Sequence, residues 1–321
     1  QSVTGVGFQP DFLWVKNRQT AYNHALVDVV RGATKSVASN STAVERTSDI
    51  TSLDSDGFSL QFVTATGSFS ENQGSQNYVS WSWKAGGSDS TNNDGDLTSQ
   101  VSVNTEAGFS IVAYTGSDSA ATVGHGLGVA PDFVLIKQRT ATGNWIVGAD
   151  IPNWTWTNDY LLLDDTAAKQ TNAGSTFFTG APTSTVLNLG GGSYTSSSSQ
   201  ELIAYCFASI EGYSKVGTYI GNGSTSGPFI FTGFRPAWIL FKRIDGGTHH
   251  WRLFDSVRNT FNEVDEYLTP SSAIVEDTGK DVDFLSNGFR IITTDTDTDT
   301  SGGEILYLAF AEQPFKYANA R

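Results

Sequence analysis

One phrase is written three times in this chain: GFQPDFLWVKNR at 7–18, GVAPDFVLIKQR at 128–139 and GFRPAWILFKRI at 233–244. A chain that repeats itself is read first as repeated units, because each copy carries the same local folding instructions. The motif prolines, Pro10, Pro131 and Pro236, stand 121 and 105 residues apart. Units of that length can each bury an adequate core.

A second anchor closes each unit: NYVSWSWKA, ELIAYCFAS and EILYLAFAE. Their last aromatics, Trp83, Phe207 and Phe310, follow the prolines by 73, 76 and 74 residues. Between the anchors, LVDVVRG holds Asp28 and Arg31, and LFDSVRN holds Asp255 and Arg258. An Asp and an Arg three apart at a repeated position are read as holding each other and a turn. The second unit offers Asp150 at the same distance and no matching arginine, so it is the divergent copy. The expected units are 1–87, 97–212 and 213–321. Residues 88–96, inside AGGSDSTNNDGDLTSQ, have the composition of a flexible linker. A strand precedes the second motif (GFSIVAYTG) and the third (YSKVGTYIG), but the first motif has no counterpart in the sequence. That strand is expected upstream or from a neighbour, which leaves an open edge.

Proline has no N–H to donate and belongs at the start or the edge of a strand. After Pro10, Phe12 and Trp14 alternate with Leu13 and Val15, so both faces of the strand are apolar and both are expected to be covered. Lys16 and Arg18 then read as the place where the strand emerges into water. No apolar stripe of helical period runs over three turns. Short runs of Val, Ile, Phe, Trp and Tyr lie between clusters rich in Gly, Ser, Asn and Asp instead. The expected fold class is all-β, three tandem β-sandwich units with negligible helix.

The formal net charge is −14, which argues against a grip on a phosphate backbone or an anionic membrane. No apolar run is long enough to span a bilayer. Neither nucleic acid nor membrane insertion is expected. Cys206, the single cysteine, cannot form an intrachain disulfide and reads as a small core hydrophobe. The chain opens on Gln1 and holds no methionine, as expected of a piece of a longer polypeptide or of one trimmed at its N-terminus.

GFRPAWILFKR, LFDSVRN, VDFLSNGFRI and the terminal YLAFAEQPFKYANAR resemble a repeat module of structural proteins in marine tailed bacteriophages. GVGFQPDFLWVKNR, VVRGATK, WSWKAGGSDSTNNDG and GHGLGVAPDFVLIKQR resemble the tandem copies in the same proteins. Those modules are similar to concanavalin-like (laminin-G-type) jelly-roll sandwiches. The resemblance implies a virion surface component such as a tail fibre, appendage or capsid decoration, assembled in the host cytoplasm. It implies no catalytic residues. Expected partners are other virion proteins and copies of the chain itself, most simply as a homotrimer, with host surface glycans as a further partner.

Three groups of residues are candidate sites. Concanavalin-like sandwiches also host glycosidases, and these need two carboxylates about 5 Å apart; NEVDEY offers only Glu263 and Asp265 in a loop-like setting. TTDTDTDTSGGE alternates Asp295, Asp297 and Asp299, as oxygen ligands for calcium sometimes do, though not with the spacing of an EF-hand. GNWIVGADIPNWTWTNDY gathers Trp145, Trp154, Trp156 and Tyr160 with Asn153 and Asp159 among them. Nothing so aromatic stands at the same point of the other units. The cluster reads either as a platform for sugar rings, on which a lectin-like function would rest, or as packing on the sandwich.

Overall fold

A computed structural model describes residues 1–62, 69–192 and 194–312. The end of the C-terminal run, 313–321, lies outside the described residues. Those residues form strands and turns, with no helix among them.

The first stretch carries β1 (Ser2–Thr4), β2 (Phe12–Asn17), β3 (Ala25–Asp28), β4 (Lys35–Ser36), β5 (Arg46–Thr47), β6 (Ile50–Asp54), β7 (Gly57–Leu60) and β8 (Tyr78–Trp83). The second carries β9 (Ser90–Asn92), β10 (Ser99–Asn104), β11 (Phe109–Thr115), β12 (Ala121–Gly124), β13 (Phe133–Gln138), β14 (Ile146–Ala149), β15 (Leu161–Leu162), β16 (Val186–Leu189) and β17 (Glu201–Phe207). The third carries β18 (Ser214–Ile220), β19 (Phe229–Phe231), β20 (Pro236–Arg243), β21 (Arg252–Asp255), β22 (Val282–Leu285), β23 (Gly288–Ile291) and β24 (Glu304–Ala311).

Each stretch builds one main sheet around its motif strand. The orders are β3-β2-β8, then β15-β14-β13-β17-β11-β10-β9, then β18-β24-β20-β21. Smaller sheets accompany them: β1-β7-β6, β12-β16 and β19-β23-β22. The register recurs. Phe12 lies opposite Trp83 on one side and Asp28 on the other. Phe133 lies between Phe207 and Ala149, and Trp238 between Phe310 and Asp255. Pro10, Pro131 and Pro236 therefore hold equivalent places, each two residues before its paired aromatic.

β2 and β13 are buried along their whole length, and the two faces have different covers. Leu13 and Val15 pack with Val27, Ile50, Phe58 and Leu60 inside the first stretch. Phe12 and Trp14 point the other way, into a central core shared with Phe133, Leu135, Trp238 and Leu240. The cover for each outer face is thus the other two main sheets, and a threefold closure forms within one chain. Rings meet there edge to face: Trp83 on Trp238 at 5.4 Å and on Phe310 at 5.6 Å, with Phe12 tilted on Tyr205 at 4.4 Å. Such pairs add about 0.5–1.5 kcal/mol each beyond their buried area.

Three expectations are corrected. Ser90–Asn92, inside the expected linker 88–96, is an edge strand paired with β10. Asp150 is not the counterpart of Asp28 and Asp255; Ala149 holds that register. Lys16 does not emerge into water and is 1% exposed, because the third stretch covers the end of its strand.

Candidate functional site

Three recurring sets of polar groups converge where the three stretches meet. Lys16, Lys137 and Lys242 hold one place in the three motifs, and all are buried. Each sends its ammonium to a backbone carbonyl of another stretch. Lys16 donates to Ala273 O at 3.2 Å, Lys137 to Thr42 O at 3.1 Å and Lys242 to Thr166 O at 2.9 Å. Further carbonyls, those of Asn17, Gly143 and His249, complete the sets. Burial pushes all three ammonium groups down to about 8.

A second threefold set uses ring N–H groups just before β3, β14 and β21. Trp145 Nε1 donates to Ala38 O and Trp251 Nε1 to Leu162 O, both at 2.8 Å. His24 takes the third place, with Nε2 3.1 Å from Thr269 O. Trp14 Nε1 donates to His24 Nδ1 at 2.9 Å, so the imidazole is neutral with its proton on Nε2. Burial holds its pKa well below the ordinary value, with Lys16 adding to the effect.

The charged set is threefold in position and twofold in chemistry. Asp28 pairs with Arg31 at 2.5 Å, and Tyr205 of the second stretch donates its hydroxyl to Asp28 at 2.7 Å. Asp255 pairs with Arg258 at 2.5 Å, and Trp81 of the first stretch donates to Asp255 at 3.1 Å. Glu45 joins Arg31 to Arg139, and Glu276 joins Arg258 to Arg18. Burial works against the carboxylate of Glu45, yet Arg139 and Arg31 hold its pKa below the usual range. The backbone N–H groups of Glu45, Lys169 and Glu276 reach Arg139 O, Ile244 O and Arg18 O. At the third junction Lys169 and Ile244 thus replace the acid and the arginine. Lys169 turns instead to Asp159, 3.6 Å away, and lies over the Trp154 ring. The divergent copy is a junction built with fewer ion pairs.

The tryptophan cluster is largely core. Trp145 is fully buried and holds the position of Trp251, so the third stretch does have an aromatic at that point. Trp156, 6% exposed, stands edge-on to Phe178 at 5.1 Å and lies against Gly148, where a Cβ would come within 2.3 Å of its ring. Asp159 is buried and accepts the backbone N–H of Thr155 at 2.7 Å. Trp154 and Tyr160 are half-buried, and Asn153 is exposed with positive φ. The platform for sugar rings is therefore not formed by Trp145 and Trp156, because the neighbouring sheets occupy their faces. Trp156→Ala is expected to lose about 3–5 kcal/mol, the cost of emptying a large core site, measured by denaturant unfolding. Unchanged stability with weakened attachment to glycans would instead make the ring a contact surface.

The acidic run folds as a turn over 296–298 rather than as an extended row of ligands. Asp295 accepts from Lys280 and from the N–H of Asp297. Asp297 takes Arg252 at 2.5 Å and His249 at 3.0 Å. Asp299 accepts the N–H groups of Asn222 and Ser224. Lys280 lies between Asp295 and Asp297, 3.8 Å from the latter, and no three His, Cys, Asp or Glu among the described residues are grouped to hold a metal ion. The three aspartates of the calcium reading are thus engaged by Lys280, Arg252, His249 and backbone N–H groups. Glu263 is exposed and Asp265 accepts from Asn259 at 3.0 Å.

A family model described as a domain of unknown function, DUF7483, matches residues 1–314. The chain belongs to that family. No curated protein and no solved structure matches it. In this DUF7483 chain the residues that sequence reasoning passed over are Glu45, Glu276, Tyr205, Lys137 and Lys242, and Lys16 was read only as a strand end. The lysines did leave a signal: an identical charge recurring after each buried run is more than a surface accident.

Proposed function

We propose that this DUF7483 chain is a non-catalytic structural and adhesive component of a bacteriophage virion: a tail fibre, an appendage or a capsid decoration. The observation that supports this reading most is where the converging polar groups go. Lysines, indoles, Asp–Arg pairs and bridging glutamates are committed to tying three sheets into one body, as suits a part that carries load rather than turns over a substrate. The sequence resemblance supplies the virion context. On this reading the partners are other virion proteins and further copies of the chain. Labelling purified particles with an antibody raised against the chain tests it. Regular labelling on the particle surface is the expected result, and labelling of infected-cell extract but never of particles would overturn it.

Host contact, the lectin-like side of this reading, is favoured by one cleft of the second stretch. It has a volume of about 440 Å³ and is lined by Asp118, Thr142, Tyr194, Ser198 and Gln200 among others. Tyr194 is half-buried and stacks on Phe177 at 6.1 Å, offering a ring edged by amide, hydroxyl and carboxylate groups. Tyr194→Ala should keep the fold, lower the melting temperature by a few degrees through loss of the Phe177 contact, and weaken attachment to host cells. Equal attachment by parent and variant would remove the glycan reading.

A further inference from the structure

Among the described residues, the first stretch lacks a strand that the other two possess. In the second, β11 pairs with β17 from Phe109↔Phe207 to Thr115↔Glu201. In the third, β18 pairs with β24 from Ser214↔Phe310 to Ile220↔Glu304. The equivalent strand of the first stretch is β8, since Trp83 holds the register of Phe207 and Phe310. β8 has β2 on one side and, among the described residues, no strand on the other. Burial records the difference: β17 from Leu202 and β24 from Ile305 to Phe310 are buried, whereas in β8 only Trp81 and Trp83 are.

The absent strand leaves a shaped space as well as an open edge. β11 and β18 each place a tyrosine at one register position, Tyr114 opposite Leu202 and Tyr219 opposite Ile305. Both rings enter the core between main and companion sheets. Both hydroxyls donate to an equivalent loop carbonyl, Thr195 O at 2.8 Å and Thr298 O at 2.6 Å. Tyr219 is enclosed by Phe241, Phe289 and Tyr307, with ring centroids 6.0–6.5 Å away. By register those three correspond to Val15, Phe58 and Ser80 of the first stretch. Val15, Phe58 and Ser80 all line one groove of about 480 Å³, with Gln1 at its margin. The groove lies where the other two stretches hold their tyrosine.

We infer that the open edge of β8 and this groove are the seat of a further β-strand of the β11 and β18 kind. It runs antiparallel to β8, places a tyrosine between Val15 and Phe58, and arrives from the amino-terminal side of Gln1. The direction follows from the other stretches, where the strand comes directly before β12 and β19, the counterparts of β1. Unpaired strand edges recruit strands through their free N–H and C=O groups, and the groove makes this one selective for an aromatic ring. Ser80 is small, like Ala204 in the same register, which sits opposite Val112. The seat therefore also admits a β-branched residue two positions before the tyrosine. This inference does not rest on the virion reading.

The test is a graft. The sequence Ala107–Ala121 is added directly ahead of Gln1 in the 321-residue chain, and a second version of the graft carries Tyr114→Ala in the added copy. With the intact graft, amide exchange across Tyr78–Trp83 should slow by roughly tenfold or more, and the melting temperature should rise by several degrees. The graft without its tyrosine should lose most of both effects. Unchanged exchange and melting with the intact graft would overturn the inference. So would an ungrafted chain that dimerises with its β8 amides protected, since a second copy would then be the occupant.

Discussion

Arg31→Ala is expected to cost about 3–5 kcal/mol of folding stability, the usual consequence of leaving one charge of a buried pair without its partner. Asp28 and Arg31 are both fully enclosed at their side chains, and three further groups depend on the guanidinium. Arg31 Nη2 donates to Leu26 O and Tyr205 Oη at 2.9 Å each, and Nη1 reaches Glu45. Burial opposes the charge on Arg31, but Asp28, Tyr205 and Glu45 together hold its pKa above the ordinary value. Arg258→Ala should behave alike, since Arg258 bonds Asp255, Glu276 and Leu253 O in the same pattern. Replacing Asp28 and Arg31 together by apolar residues of similar volume should cost much less, because Ala149 already fills that register in the second stretch without a charge. Denaturant unfolding of the three variants checks this. A loss under 1 kcal/mol for Arg31→Ala would show that water reaches the pair.

Stability should rise, not fall, as pH increases from about 8 towards 10. Lys16, Lys137 and Lys242 have folded-state pKa values lowered to about 8 from an ordinary 10.5. Below pH 8 both folded and unfolded chains hold these protons, and the penalty for burying three ammonium groups is fully present. Between 8 and 10.5 the unfolded chain keeps protons that the folded one has released, so the balance moves towards the fold. The limiting slope is about 1.4 kcal/mol per pH unit for each lysine. The carbonyls around each ammonium favour its charged form and make the real rise shallower. From about pH 9 the buried Cys206 thiol, which burial holds above its ordinary value while the unfolded thiol ionises, works against part of the rise. Above about pH 10 the trend reverses, because burial holds Tyr114, Tyr205 and Tyr219 well above their ordinary values while unfolded tyrosines ionise. Unfolding midpoints at pH 7, 8, 9 and 9.5 check the window, and Lys137→Met should remove roughly a third of the rise if the three act alike. A flat profile would mean that the carbonyl cages compensate the burial in full.

Much of the fold was legible because strand formation is local. The prolines, the alternation of Phe12, Leu13, Trp14 and Val15, and the spacing to Trp83, Phe207 and Phe310 located the motif strands and their partners. The Asp-x-x-Arg turns were legible too, since both partners of each pair lie within one short segment. Spacing alone misplaced Asp150, because counting from a proline cannot register the single-residue difference that strand pairing resolves. That Trp145, Trp156 and Asp159 are core was hidden for a related reason. A cluster of tryptophans or aspartates is visible in the sequence, but whether its faces meet water depends on what else the chain brings there.

The sequence by itself determined that this protein is all-β, where its motif strands run, and that those strands are apolar on both faces. Only the tertiary structure decided what covers the second face. The cover comes from residues more than a hundred positions away, and burial is a property of neighbours rather than of a residue. Lys16 reads as a strand end until Ala273 O closes over its ammonium. His24, Trp145 and Trp251 look unrelated until each is seen to offer one ring N–H to one carbonyl across a junction. Chemically different side chains can fill one geometric role, and a sequence records the side chain while the fold records the role.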